Sequence, residues 1–313
     1  MKINKGIWKT AVLAAAITLV GSMFIMRLDD WSKGLNSGFI VYGQSGTTGT
    51  TSACSPSSGT SGTTSVCVIK VIPHVVAGGK YKTTIQIINT SGATVNVSGD
   101  FFNQDGTKST ATFTQDLNGK TATFVGSMTA ASLAANAVLV ISVEKDGALF
   151  VNWGEIIATS NVSVSAAFEL RETAKDPVSG KDVPANLLSR VGVTASPADM
   201  QQFVIPRIRN VSNALDVGYA IANTGSTAAT ITVTLRDASG QNTLATKSLT
   251  LNAMSQTAIF ANEFFGVALN DKDSATKTGY QSLTFTSDKG QFAAMALAIE
   301  GPNLASFPVD RIQ

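Results

Sequence analysis

Paired carboxylates are the first residues in this sequence that could do chemistry, because two of them suffice to hydrolyse a glycosidic bond. The candidates are Glu144, Glu155, Glu169 and Glu172. Of these, Glu155 and Glu169 fall on predicted strands that are expected to be near neighbours. Acidic side chains are also common on the solvent face of any strand. A glycoside hydrolase that uses Glu155 and Glu169 is therefore a minor alternative.

The chain contains one histidine, His74, which follows Pro73 at the start of the folded region. A Ser-His-Asp or Cys-His arrangement would have to use it. No serine lies in a Gly-x-Ser-x-Gly turn. The sequence thus predicts a structural histidine, no catalytic residue, no cofactor and no enzymatic activity.

Two acidic turns could bind calcium: Asn103 to Gly106, and the loop that contains Asp271 and Asp273. Calcium takes six to eight oxygen ligands, more than either stretch supplies at close spacing. Asn, Asp and Gly also serve turn geometry. We assign no metal ligand, and leave open whether the Asp271/Asp273 loop binds calcium.

The N-terminal segment indicates export. Lys2, Lys5 and Lys9 precede an uncharged apolar run from Ala11 to Met26, which is the layout of a secretory signal. The run is also just long enough to anchor a protein in a membrane. Residues 1–43 are therefore predicted to be a helical signal peptide or signal anchor.

Residues 44–66 consist almost entirely of Gly, Ser and Thr and predict a flexible linker. Cys54 and Cys67 follow the export signal, so they would meet an oxidising compartment. We predict that they form a disulfide. The alternative is two free thiols.

Short alternating strands follow, and the alternation is clearest from Thr230 to Arg236. An internal repeat relates Val71-Ile72-Pro73 to Val204-Ile205-Pro206, and Asn89-Thr90-Ser91-Gly92 to Asn223-Thr224-Gly225-Ser226. Asn118-Gly119 predicts a tight hairpin inserted in the first copy. Each copy has the size of an immunoglobulin-like sandwich. The predicted all-β organisation is sandwich 1 at 67–172, a polar linker at 173–202 and sandwich 2 at 203–313.

Low charge limits the partners. Charged residues make up 14% of the chain and the net charge is +2, so no basic field exists to hold nucleic acid. The run Phe292 to Ile299 is apolar on both faces. One face belongs in a sandwich core, and the other packs on the first copy or on another molecule. The candidate interaction surface comprises Trp153, Tyr280, Phe292, Met295 and Leu297.

The segments VIPHVVAGGKYKTTIQIINTSG, SLAANAVLVISVE and FVIPRIRNVSNALDVGYAIANTGS resemble those of exported bacterial proteins with tandem immunoglobulin-like β-sandwich domains. The resemblance spans most of residues 68–309. It implies a fold and a location, and it carries no catalytic residues.

Together these features predict a secreted or cell-envelope protein of a bacterium. It would serve non-catalytically in adhesion, scaffolding or the extracellular matrix, with an unknown protein or glycan as its partner. A carbohydrate-binding accessory module is the main alternative. Membrane contact would occur only through an uncleaved N-terminal segment, and the oligomeric state is left open.

Overall fold

The computed structural model describes residues 51–53, 66–143, 148–178, 180, 182–210, 215–265, 278–307 and 309–312. The predicted signal segment and the Asp271/Asp273 loop lie outside these ranges and stay predictions. The described chain is all-β apart from one short helix, α1 (Ala261–Phe265). In the described ranges, no helix has the length and apolarity needed to cross a membrane.

Sandwich 1 is formed by two antiparallel sheets. Sheet I has the order β1 (Thr51–Ala53), β2 (Val66–Ala77), β9 (Phe150–Ala158), β4 (Val95–Asn103), β7 (Ser127–Leu133), with β12 (Ser196–Pro197) paired to β2. Sheet II has the order β11 (Asp182–Thr194), β10 (Val162–Lys175), β3 (Tyr81–Asn89), β8 (Val138–Val143), β5 (Thr112–Leu117), β6 (Lys120–Val125).

Sandwich 2 is also formed by two sheets. Sheet III has the order β16 (Thr243–Leu251), β15 (Ala229–Arg236), β18 (Thr278–Ser287), β13 (Gln202–Asn210), β21 (Asp310–Arg311). Sheet IV has the order β17 (Gln256–Phe260), β14 (Asp216–Asn223), β19 (Phe292–Glu300), β20 (Asn303–Phe307).

Alternating strands place one face of each sheet in a core. In sandwich 1, Val97 and Phe101 of sheet I meet Ile85 and Phe168 of sheet II in one buried cluster. In sandwich 2, the alternation predicted from Thr230 to Arg236 buries Ile231, Val233 and Leu235. Large branched and aromatic side chains on one face of each strand supply the hydrophobic stabilisation.

The predicted internal repeat is present in the strand order. Strands β2-β9-β4-β7 of sheet I correspond to β13-β18-β15-β16 of sheet III, and β11-β10-β3-β8 correspond to β20-β19-β14-β17. Two buried asparagines at matching turns anchor the correspondence. The amide nitrogen of Asn89 donates to the carbonyls of Ala93, Leu133 and Ala134. That of Asn223 donates to the carbonyls of Thr227, Leu251 and Asn252.

The predicted all-β sandwich is confirmed, but the immunoglobulin-like fold expected from the size of each copy is not confirmed by the strand order. In an immunoglobulin domain the first strand shares a sheet with the second, and the last strand pairs with the one before it. Here β2 pairs with β9, whereas β3 pairs with β10 and β8. Because most strands share a similar alternating pattern, the sequence indicates that strands form but not which ones pair.

The predicted linker at 173–202 also needs correction, because most of it is strand. Strand β10 runs on to Lys175, and β11 pairs back on it from Ser165 to Lys175. Val191 of β11 is buried in the core of sandwich 1. The polar residues and prolines that indicated a linker belong largely to this long hairpin. Within the predicted flexible segment 44–66, residues 51–53 form β1.

The predicted hairpin at Asn118-Gly119 is confirmed. Leu117 pairs with Lys120, so the turn has two residues. Asn118 and Gly119 have φ values of 56° and 78°. Positive φ at both central residues is the geometry that an Asn-Gly turn favours.

Candidate functional site

The two sandwiches are joined by a buried apolar contact between the outer faces of sheets I and IV. Its centre comprises Val71, Phe102, Trp153, Ala222 and Ala293. These residues come from β2, β4 and β9 of sandwich 1 and from β14 and β19 of sandwich 2. Small alanines on sheet IV let the two sheets approach closely around the aromatic rings.

Strand β19 shows how one strand serves two hydrophobic clusters. Phe292, Ala294, Ala296 and Ala298 lie in the core of sandwich 2. The alternate residues Ala293, Met295, Leu297 and Ile299 pack with residues of sandwich 1. The second face of the run from Phe292 to Ile299 therefore packs on the first copy, and not on another molecule.

Trp153 is the largest side chain in this contact and is 0% exposed. Its ring stacks on Phe102, with centroids 4.7 Å apart. The indole Nε1–H donates a 2.8 Å hydrogen bond to the carbonyl of Met254 in sandwich 2. A buried indole usually finds such a partner. Trp153 therefore contributes both apolar burial and a directional link between the sandwiches.

The turn after β4, one of the two calcium candidates, docks on the turn before β17. The backbone N–H of Gln256 donates to the carbonyl of Gln104 at 2.9 Å, and their side-chain amides are 3.2 Å apart. Gly106 has φ of +89°, and a Cβ at this position would lie 2.5 Å from the carbonyl oxygen of Ala253. Only glycine combines this backbone conformation with so close an approach. The turn is thus an inter-sandwich contact.

His74 is a buried member of the same contact. Its Nδ1 lies 3.2 Å from the Gln256 side-chain nitrogen, and its ring centroid lies 6.0 Å from that of Phe168. Burial lowers the pKa of His74 to about 4, so the ring is neutral at physiological pH. Across the described ranges, no group of three or more His, Cys, Asp or Glu side chains could hold a metal ion.

A polar cluster flanks the aromatic stack. Glu155 lies opposite Asp100 on the paired strands β9 and β4. The Lys108 Nζ is 2.5 Å from the Asp100 Oδ1 and 4.4 Å from the centre of the Phe102 ring. Burial and then the negative charge of Asp100 raise the pKa of Glu155 to about 7, against the opposing effect of Lys108. Glu155 therefore titrates close to neutrality.

Glu169 lies elsewhere. It is 4% exposed, on the outer face of sheet II, and it forms ion pairs with Arg171 and Arg190. Burial alone would raise the pKa of Glu169, but the hydrogen bonds from the two arginines outweigh it and lower the pKa. Its neighbours Phe168 and Leu170 face the core. Glu155 faces outward from sheet I, so the core of sandwich 1 separates the two carboxylates. They do not form a hydrolytic pair.

Most of the predicted interaction surface is buried. Trp153, Phe292, Met295 and Leu297 lie in the cluster between the sandwiches or in the core of sandwich 2, so they are not available to another molecule. Their apolar character reflects these internal contacts. Tyr280 is 64% exposed and is the one member of the set that remains at the surface.

The repeat explains why the apolar contact occurs once. In sandwich 2, Arg236 pairs with Ser282 at the position where Phe102 pairs with Trp153 in sandwich 1. Trp153 therefore corresponds to Ser282, not to the nearby Tyr280. In sandwich 1, Ser165 and Ala167 of β10 take the positions of Met295 and Leu297 of β19. The facing sheets are largely apolar, whereas the outer faces of the two outward sheets are mainly polar with a few exposed apolar side chains, as in the terminal units of a repeat protein.

Glu155→Gln is expected to change the pH dependence of stability. A carboxyl whose pKa rises from 4.5 to about 7 on folding stabilises the fold below pH 4.5, and this contribution is lost as the pH rises through 7. The amide avoids that loss. The variant should gain about 1–3 kcal/mol over the wild type at pH 8 and nothing at pH 4. Urea unfolding at both pH values measures this, and an equal effect at pH 4 and pH 8 would contradict it.

Comparison with known proteins identifies no family. No family model matches the chain, and no curated protein matches it. Solved structures similar to it include vicilin from Solanum lycopersicum, at 7% identity and a TM-score of 0.21, covering 75% of this chain and 78% of the vicilin. Another is a conserved protein of unknown function from Pseudomonas aeruginosa, at 9% identity and a TM-score of 0.19, covering 75% and 84%. Similarity this low carries no argument about function.

Proposed function

We propose that this protein is exported and acts without catalysis at the cell surface or in the extracellular medium, in adhesion, scaffolding or the matrix. The observation that carries the proposal is the apolar contact centred on Trp153, which in the described chain joins two sandwiches whose outward faces are mainly polar. A fused pair of sandwiches with hydroxyl-rich outer faces suits a spacer or binding scaffold. The apolar run after Lys9 and the Gly/Ser/Thr segment support export and display.

Cell attachment tests this proposal. Cells that lack the gene are complemented with the full chain or with a matched form that lacks residues 1–43. We expect attachment to a solid surface, or retention in the matrix, to fall on deletion and to return only with the full chain. Normal attachment without the gene, or rescue by the leaderless form, would contradict an exported adhesive or scaffolding role.

We also propose that Cys54 and Cys67 form a disulfide. Cys67 is 3% exposed, and no cysteine of the described chain is a free thiol. Strand β1 pairs Ala53 with Val66. The residue paired with Cys67 is Ser52, and Cys54 lies two residues further along the chain from Ser52. Cys54 itself lies outside the described residues.

Reduction should therefore destabilise the protein. Closing a loop of this length stabilises a fold by about 3 kcal/mol. The mature protein is expected to show no reactive thiol until it is unfolded and reduced. The Cys67→Ser variant should have a lower unfolding free energy than the oxidised wild type, and about the same unfolding free energy as the reduced wild type. Two reactive thiols in the oxidised, unfolded protein would contradict the disulfide.

A second candidate, carbohydrate binding, is favoured by the outer face of sheet III. Tyr280 shares that face with Ser282, Thr284 and Thr286 along β18, and Thr232 and Thr234 lie alongside on β15. An exposed aromatic ring beside uncharged hydroxyls offers stacking and hydrogen bonds to a neutral sugar. In the described chain, however, Tyr280 is the one aromatic among the exposed large side chains, so the face lacks an aromatic row.

A glycan array tests this candidate. If sheet III binds a sugar, Tyr280→Ala should weaken binding at least tenfold, because the ring supplies most of the contact area. Leu187→Ala, at an exposed position on sandwich 1, is the matched control and should leave binding unchanged. Absence of binding by the wild type, or equal binding by both variants, would eliminate the carbohydrate role.

A further inference from the structure

The end strands of the four sheets differ in how well they are protected. An unprotected end strand presents free backbone N–H and C=O groups that another strand can pair with. Strands β1 and β21 have three and two residues, which is too short for a stable pairing surface. The edge strand β20 lies beside β11, where the backbone N–H of Leu304 donates to the Ser189 hydroxyl at 3.2 Å. The edge strand β17 contacts sandwich 1 through Gln256, and the pairing of β7 with β4 is irregular between Val97 and Gly99, which disfavours a further strand. Of the longer end strands in the described chain, β6 and β16 remain.

Strand β16 carries two features that protect an edge. Lys247 lies at its centre and points toward the core side, where its Nζ donates to the carbonyl of Phe264 at 2.7 Å. The pairing of β15 with β16 is irregular between Leu235 and Arg236. An inward charge and a bulge both disfavour the addition of a further strand.

Strand β6 has no such protection in its centre. From Thr121 to Val125 it has no charged residue, and the uncharged stretch continues through Gly126 to Leu133, the end of β7. Every residue of β6 is exposed except Phe124, which is partly buried against the rings of Phe113 and Phe101. Val125 is 57% exposed. Its neighbour in the sheet is β5, so its other edge is open in the described chain.

We propose that β6 pairs antiparallel with β6 of a second copy of this chain, so that sheet II continues across the dimer. Thr123 lies opposite Thr114 on the outward face, because Phe113 and Phe124 face the core. With Thr123 of one copy facing Thr123 of the other, Thr121 faces Val125. Threonine–threonine and threonine–valine pairs are favourable across strands.

A second copy suits this edge because the pairing is self-complementary. An isologous contact about a twofold axis uses each β6 once and closes at the dimer. It therefore does not propagate into fibres. Six residues give a small contact, so the dimer should be reversible and dependent on concentration. This inference rests on the proposed scaffolding role, and it identifies a second copy of this chain as a partner in that role.

Sedimentation velocity of the full-length protein over a range of concentrations tests the inference. The wild type should pass from monomer to dimer. Thr123→Lys and Thr123→Glu should each weaken dimerisation at least tenfold, because like charges would face each other. Mixed in equal amounts, the two variants should dimerise again, since Lys then faces Glu. Ser248→Lys, at an exposed position on the protected strand β16, is the matched control and should dimerise as the wild type does.

Three results would overturn the inference: a wild type that is monomeric at every concentration, unchanged dimerisation of Thr123→Lys, or no recovery on mixing the two variants. Circular dichroism of each variant verifies that it is folded. The attachment assay separates this inference from the proposed function. If Thr123→Lys is monomeric but restores attachment, the role at the cell surface stands and dimerisation is not part of it. If the wild type dimerises but deletion leaves attachment unchanged, the dimer stands and the adhesive role does not.

Discussion

Replacing Trp153 by alanine is expected to lower the free energy of unfolding by about 3–5 kcal/mol, the range for a buried aromatic side chain. The ring is fully buried between the sandwiches, stacks on Phe102 and holds Met254 through its indole N–H. Its loss leaves a cavity, and the Met254 carbonyl loses a hydrogen-bond donor. We therefore expect the two sandwiches to unfold in separate steps in the variant.

Differential scanning calorimetry measures this effect directly. The wild type should show one transition with equal calorimetric and van't Hoff enthalpies, the signature of a single cooperative unit. The variant should show two. Tyr280→Ala is the matched control because its ring is exposed, and it should change stability by less than about 0.5 kcal/mol. A single, unshifted transition in the Trp153 variant would show that the contact does not couple the sandwiches.

Asn89→Ala and Asn223→Ala are expected to cost similar amounts, about 2–4 kcal/mol each, since each leaves buried carbonyls unpaired. Each side-chain amide nitrogen donates to three backbone carbonyls, and each amide oxygen accepts a hydrogen bond from the backbone N–H of the residue two positions later in the chain. Urea unfolding measures the costs. Asn161→Ala, at an exposed turn position, should be nearly neutral. A cost below 1 kcal/mol for one asparagine and a large cost for the other would contradict their structural equivalence.

The sequence predicted the strand content, the repeat and the hairpin at Asn118-Gly119. These features depend on local patterns: alternation along a strand, a repeated asparagine turn and an Asn-Gly pair with positive φ. The strand order could not be predicted from local patterns, because the pairing of β2 with β9 joins segments that are far apart in the chain. Strand β11 was missed because the polar residues and prolines around it resemble a linker.

The contact between the sandwiches was predicted in part. The two apolar faces of Phe292 to Ile299 indicated burial on both sides, as in any fully covered strand. The same signal marks Phe101-Phe102, where two successive large apolar residues interrupt the alternation; the second copy has Leu235-Arg236 at this point. The difference between Phe102 in the first copy and Arg236 in the second is therefore the sequence signal for the surface of sandwich 1 that contacts sandwich 2. The role of Gly106 was not accessible, because it depends on the approach of Ala253 from the other sandwich.

Export is the central claim, and the N-terminus of the mature protein tests it most directly. The source cells are fractionated, and the protein is purified from each fraction and sequenced from its first residue. Two stretches could be cleaved by a signal peptidase, Val20-Gly21-Ser22 and Val41-Tyr42-Gly43. We expect the protein in the envelope or the medium, beginning after one of them. An uncleaved form held in the membrane would equally fit export. A full-length protein beginning at Met1 in the cytoplasm would contradict export, and with it the disulfide and the proposed role at the cell surface.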